Sequence, residues 1–124
     1  MKRLVAVLAM VSMPAMADIE VSNEKYHPDE NGLSGIFSYD VTNNYDVAVS
    51  ALDLRVVAST PGREVPWADN RGSIDIPGGV EPGETRTLKN RAPREADRAV
   101  SEGFDVVFDV EPMAAYDASG SAIE

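Results

Sequence analysis

Apolar and polar positions alternate through residues 45–59, YDVAVSALDLRVVAS, the longest run of the chain without a turn or helix breaker. Val47 and Val49 share one parity, whereas Leu52, Leu54, Val56 and Ala58 share the other. Period-two alternation predicts a strand with one buried face, and the change of parity near Ser50 predicts a β-bulge or bend within it. A strand this long is expected at the centre of a sheet, with a neighbour on each side.

The same period recurs on either side of it. Ile19 and Val21 mark a first strand over residues 18–26, which fades into a turn-rich loop ending in Asn31-Gly32, a dipeptide suited to a tight turn. Over residues 33–41 the positions Leu33, Gly35, Phe37, Tyr39 and Val41 form one face, with Ile36 the exception. Asn43-Asn44 then predicts a hairpin turn into the long strand. Beyond Ser59, Thr60-Pro61-Gly62-Arg63 fits a type II turn. A short strand over 64–67 is placed at a sheet edge because Pro66 has no N–H to donate. Ile74 and Ile76 mark a brief strand ended by Pro77-Gly78-Gly79, and Glu81-Pro82-Gly83-Glu84 turns the chain into a strand over 85–90.

Residues 93–103 alone read as helix: Pro93 opens it, Glu95 and Asp97 suit its positive end, Ala96, Ala99 and Val100 share a side, and Gly103 ends it. Phe104, Val106, Phe108 and Val110 then alternate with polar residues, leaving Val107 outside, up to Pro112. Residues 113–116 and 121–123 make a last strand or hairpin around Asp117-Ala118-Ser119-Gly120. The sum is an all-β, immunoglobulin-like β-sandwich of seven to eight antiparallel strands with one short crossover helix near 93–102. Its inward side chains are Phe37, Tyr39, Leu52, Leu54, Phe104, Val106 and Phe108, and the crossings between sheets are placed at 66–73 and 91–103.

Export changes the picture at the N-terminus. Lys2 and Arg3, the apolar run over residues 4–13 and Ala15-Met16-Ala17 stand in the order of a signal peptide, so residues 1–17 are expected to be removed after Ala17, leaving a single domain over 18–124. The apolar run is shorter than the roughly 20 residues of a spanning helix, and the product is expected to be soluble in the periplasm or secreted, with no stable membrane insertion. No cysteine is present, so packing and strand pairing must hold the fold without disulfides. Cleavage lowers the basic count from 11 to 9 against 21 acidic residues, taking the net charge from −10 to −12. A balance this acidic excludes nucleic acid as the expected partner.

The order of Gly35, Phe37, Val41, the Asn43-Asn44 turn, Val47 and Val49, then Gly62, Val65 and the Pro82-Gly83-Glu84-Thr85 turn resembles the small immunoglobulin-like domains of bacterial envelope proteins, the FxLYD type in particular. About half of the mature chain is covered by position. The aromatic-Asp signature expected at the end of the long strand is replaced by Val56-Val57-Ala58-Ser59. The resemblance implies a seven-stranded sandwich with a non-catalytic, interaction-type role, and it assigns no site residues.

Catalytic chemistry is poorly supplied. With no cysteine and one histidine, His27, nucleophilic catalysis is restricted to a Ser-His pair, and a hydrolase is the last-ranked reading. Zinc, which takes three or four His, Cys or carboxylate ligands, finds no cysteine and one histidine, and copper lacks soft ligands, since four of the five methionines fall in the signal and only Met113 remains. No metal or cofactor is expected, although Asp69, Asn70 and Asp75, or Asp29, Glu30 and Asn31, offer oxygen ligands of the kind calcium takes.

Charge segregation is the feature that points to a partner. Arg86, Lys89, Arg91, Arg94 and Arg98 are five of the nine basic residues left after cleavage, and residues 99–124 contain none. Such a stripe on an acidic molecule steers an acidic partner, unless it pairs with the protein's own carboxylates or merely solvates the crossover. The expected function is therefore a non-catalytic binding or accessory module docking on another envelope protein through an edge strand or this stripe. The alternative is a glycan-binding sandwich in which Trp67 stacks on a sugar ring.

Overall fold

A computed structural model describes residues 18–29 and 34–124. The proposed signal peptide and the Asn31-Gly32 turn lie outside the described residues. The rest is mostly strand, in two antiparallel three-stranded sheets with one short helix, an all-β sandwich-like fold. β1 (Ile19–His27), β2 (Ile36–Asn43) and β5 (Thr85–Arg91) make the first sheet in the order β1-β2-β5. β4 (Ala68–Val80), β3 (Val49–Ser59) and β6 (Val107–Tyr116) make the second in the order β4-β3-β6, and α1 (Arg94–Ser101) lies between β5 and β6.

Alternation places the core as expected. Phe37, Tyr39 and Val41 from β2 meet Leu52, Leu54 and Ala58 from β3, with Phe108, Val110 and Ala115 from β6 completing a shared apolar cluster. Val106 packs against that cluster and Phe104 is half-buried, whereas Ile36 and Val107 stand exposed, as their parity requires. β3 is the central strand of its sheet, and its pairing with β4 shifts register between Val49 and Ala51, at the change of parity near Ser50, with the extra residues of that irregularity on β4.

Six strands form among the described residues rather than seven or eight. Ile74 and Ile76 do not belong to a separate brief strand, because β4 continues through Pro77, Gly78 and Gly79 to Val80. An edge strand tolerates the missing Pro77 donor. Pairing jumps from Ala51 opposite Asp75 to Val49 opposite Val80, and a Cβ on Gly79 (φ +67°) would stand 2.9 Å from the Val49 carbonyl oxygen. Glycine alone fits that bulge. For the same reason Pro112 does not end β6: it sits opposite Leu54 at a register shift, again on an edge strand, and the ladder resumes to Tyr116. Residues 64–67 form no strand. Arg63 N–H closes the turn onto the Thr60 carbonyl, and the chain rejoins the ladder only where Trp67 N–H bonds the Ala58 carbonyl.

The crossings are also redistributed. Asn43-Asn44 does not make a hairpin, because β2 and β3 lie in different sheets. Fully buried Asn43 serves as a corner: its amide nitrogen donates to the Val47 and Val80 carbonyls and its side-chain oxygen accepts from Tyr45 N–H. Val47, outside the strand, is left exposed. Residues 66–73 lead instead into an in-sheet hairpin of β3 with β4, while the 81–84 turn crosses to the first sheet. The expected crossing over 91–103 does occur and contains α1, for which Pro93 is the N-cap rather than the first helical residue. At the C-terminus a lone bridge, Tyr116 with Ala122, stands where a last hairpin was expected.

Candidate functional site

The two sheets meet on one side and part on the other. Between β1 and β6 the backbones approach closely, Tyr26 stacks on Phe108 with ring centroids 5.5 Å apart, and the Glu24 carboxylate accepts the Val110 N–H at 3.3 Å. Phe108 in turn stacks on Phe37 at 4.8 Å. The opposite edges, β4 and β5, leave a hollow of about 200 Å³. Its floor is Phe37, Leu54, Val56 and Ile74, and its rim carries Asn70, Arg71, Ser73, Asn90 and Arg91.

The opening has a local cause in β4. Ala68, Ile74 and Ile76 belong to or pack on the core, so residues 70 and 72 occupy inward register, where β3 places Val56 and Leu54 opposite them. They are Asn70 and Gly72. Beyond its own chain neighbours nothing lies within 4 Å of where a Cβ on Gly72 would stand, so a core side chain is missing there and solvent reaches half-buried Val56 and Ile74, while Phe37 and Leu54 beneath them stay buried. Asn90, inward on β5, is fixed by the hydrogen bond its side-chain oxygen accepts from Tyr39. Burial pushes the Tyr39 phenol up to about 12, which keeps it a donor.

Two further depressions adjoin the hollow. One shares Asn90 and Arg91 with it and is lined also by Ser34, Ile36 and Lys89; the other shares Asn70 and Pro93 with it and is lined also by Arg94, Glu95 and Arg98. Four of the five residues of the expected stripe therefore line this run of adjoining depressions, a shallow groove: Lys89, Arg91, Arg94 and Arg98, all exposed. Arg86 does not. It faces inward on β5 and donates to the Pro77 and Gly79 carbonyls, which the β4 bulge has released from the ladder. Arg71, from β4, takes its place at the rim.

Ion pairs among the described residues are Arg55 with Asp69 at 2.7 Å and with Glu111 at 3.7 Å. Arg55 is on the outer face of the second sheet, and none of Lys89, Arg91, Arg94 and Arg98 forms an ion pair with a carboxylate among the described residues. Arg91 donates to the Ser34 hydroxyl at 2.9 Å.

α1 is anchored from below. Asp97, only 4 % exposed, accepts a hydrogen bond from Tyr26 at 2.6 Å and from the Gly35 N–H at 3.2 Å. Burial, then that hydrogen bond, pushes the Tyr26 phenol upward. A Cβ on Gly35 would stand 2.5 Å from the Asp97 carboxylate and 2.7 Å from the Tyr26 ring, so the helix can sit this close only over glycine. Arg94 and Arg98 are held at the groove's end by this seat, with Ala96 and Ala99 buried beneath.

Trp67 lies away from the groove. Its indole packs on Phe104 at 5.0 Å, the Arg63 guanidinium covers it 4.7 Å from the ring centroid, and its N–H donates to Thr60. A sugar ring would have to displace Arg63. His27 ends β1 and meets the Ser38 hydroxyl at 3.0 Å, the pairing a Ser-His nucleophile requires, but no carboxylate orients its other ring nitrogen among the described residues. The oxygen ligands considered for calcium do not gather: Asp69, Asn70 and Asp75 are spread along β4 rather than in a loop, Asp69 is bound to Arg55, and Glu30 and Asn31 lie outside the described residues. No group of three metal-ligating side chains stands together among the described residues.

Fold and groove together define a β-sandwich with a cation-rimmed, apolar-floored edge. No protein-family model matches the chain, and no curated protein matches it. No helix among the described residues is long and apolar enough to cross a membrane.

Proposed function

We propose that this protein is an exported, periplasmic or secreted, non-catalytic module that binds an acidic surface of another envelope protein through the β5–α1 groove. The observation that carries this reading is the convergence of Lys89, Arg91, Arg94 and Arg98 on one groove, without carboxylate partners among the described residues, in a chain of net charge −10. Cations left unneutralised on an acidic molecule attract a ligand of the molecule's own sign, and their field guides its approach.

An immunoglobulin-like ancestry is supported by the sheet order. Adjacent β1, β2 and β5 correspond to strands A, B and E of such a sandwich, and adjacent β3 and β6 to C and F. Among the described residues no strand takes the place beside E, which is where the groove opens. The signal-like residues 1–17 support export.

In-cell cross-linking tests the reading. Charge reversal at Arg91, Arg94 and Arg98 should abolish a specific cross-linked adduct of the exported protein while the melting temperature of the purified variant stays unchanged. An adduct that survives the triple reversal rules the groove out as the docking surface.

A further inference from the structure

We propose that the groove takes an extended acidic peptide segment of the partner protein, added as a strand beside β5, with an aliphatic side chain seated over Phe37, Leu54 and Val56 where Gly72 leaves space. This rests on the reading that the groove binds an acidic protein, and it specifies the form of the ligand.

Three observations converge on that form. β5 ends the first sheet, so among the described residues its outer backbone edge has no strand beside it and a peptide can continue the ladder. Side chains of an added strand would point alternately outward and inward. Outward positions would lie beside Lys89 and Arg91, which face away from the core on β5, and cross-strand pairing there favours carboxylates. Inward positions would point into the hollow, whose floor is apolar and whose missing wall is Gly72. Arg94 and Arg98 extend the same charge preference past the end of the strand. An alternation of acidic and aliphatic residues satisfies both faces at once. A purely anionic chain would leave the apolar floor wet, and a purely apolar one would leave the cations unmatched.

Fluorescence anisotropy on the protein lacking residues 1–17 tests this with two labelled peptides of equal length, one alternating Glu and Val, the other Glu and Ser. The Glu–Val peptide should bind about tenfold more tightly, the contribution of one well-buried aliphatic side chain. Gly72→Leu should remove that preference. Asn70→Leu fills the same hollow from the neighbouring inward position and serves if the first variant folds poorly. If wild-type protein shows no preference, or both filled variants keep it, the strand-and-anchor inference is overturned. The acidic-partner reading survives that result only if reversal of Arg91, Arg94 and Arg98 weakens both peptides. Binding of neither peptide, or binding indifferent to the reversal, overturns both.

Discussion

The β1/β6 edge and the β4/β5 edge belong to the same two sheets, yet one is sealed and the other open. At the sealed edge two aromatic rings stack and a glutamate reaches across to satisfy an edge N–H, Glu24 to Val110. At the open edge the inward positions of β4 carry Asn70 and Gly72, and cations gather on the rim. The difference teaches that the apolar filling of the sandwich is concentrated on one side and that the other keeps only the floor of a core. A side evolved purely for stability would have filled the space opposite Leu54, because each buried aliphatic side chain contributes about 1.5–3 kcal/mol.

The contrast makes opposite demands on mutations. Phe108→Ala, which removes the ring stacked on both Tyr26 and Phe37, should destabilise by about 3–5 kcal/mol in urea unfolding. A loss under 1 kcal/mol would mean that the sealed edge is not the main cross-sheet contact. Gly35→Val should cost about 1–3 kcal/mol, since its side chain would drive into Asp97 and Tyr26, and hydrogen exchange in α1 should rise with it. On the open side Gly72→Val should do the reverse and stabilise by about 0.5–1 kcal/mol, relieving the backbone entropy of glycine in a strand without meeting any atom. A lowered melting temperature would show that the hollow is filled in solution.

The smallest effects belong to the outer faces, where each central strand carries an aspartate held by both neighbours. Asp40 accepts from Asn23 and Thr87, and Asp53 accepts from Ser73 and Tyr116. These hydrogen bonds hold both carboxyls below their ordinary 3.8. A folded value below the unfolded one gives stability that is complete above about pH 3.8 and is lost as pH falls through the folded value. Thermal melts across that range should therefore slope downward into acid, and Asp40→Asn with Asp53→Asn should flatten the slope. An unaltered slope would assign it to other carboxylates.

Much of the groove was legible, but not its shape. The stripe over 86–98 stands out as a cluster of charge, and four of its members do share a surface. Arg86 was indistinguishable from them because its role is set by carbonyls freed in β4, and nothing near Arg86 in the chain reports that bulge. Arg71 and Gly72 are missed, and Asn70 is read only as an oxygen ligand, because residues 66–73 read as a crossing between sheets rather than as part of β4. Their signal was nonetheless present, as an interruption of the inward parity of Ala68, Ile74 and Ile76 by a polar residue and a glycine.

By itself the sequence determined the local conformations: which residues alternate, where the turns at 60–63 and 81–84 fall, where the helix sits, and which face of β2, β3 and β6 is buried. These depend on side-chain period and backbone restriction, which neighbours in the chain impose on one another. Tertiary structure alone decided that Asn43 turns a corner between sheets instead of closing a hairpin, that β4 and β6 run on through their prolines, and that one edge seals while the other opens. Those outcomes rest on contacts between distant segments, and a proline or glycine signals only what the backbone can do locally, not whether the strand lies at an edge where the missing hydrogen bond or side chain is tolerated.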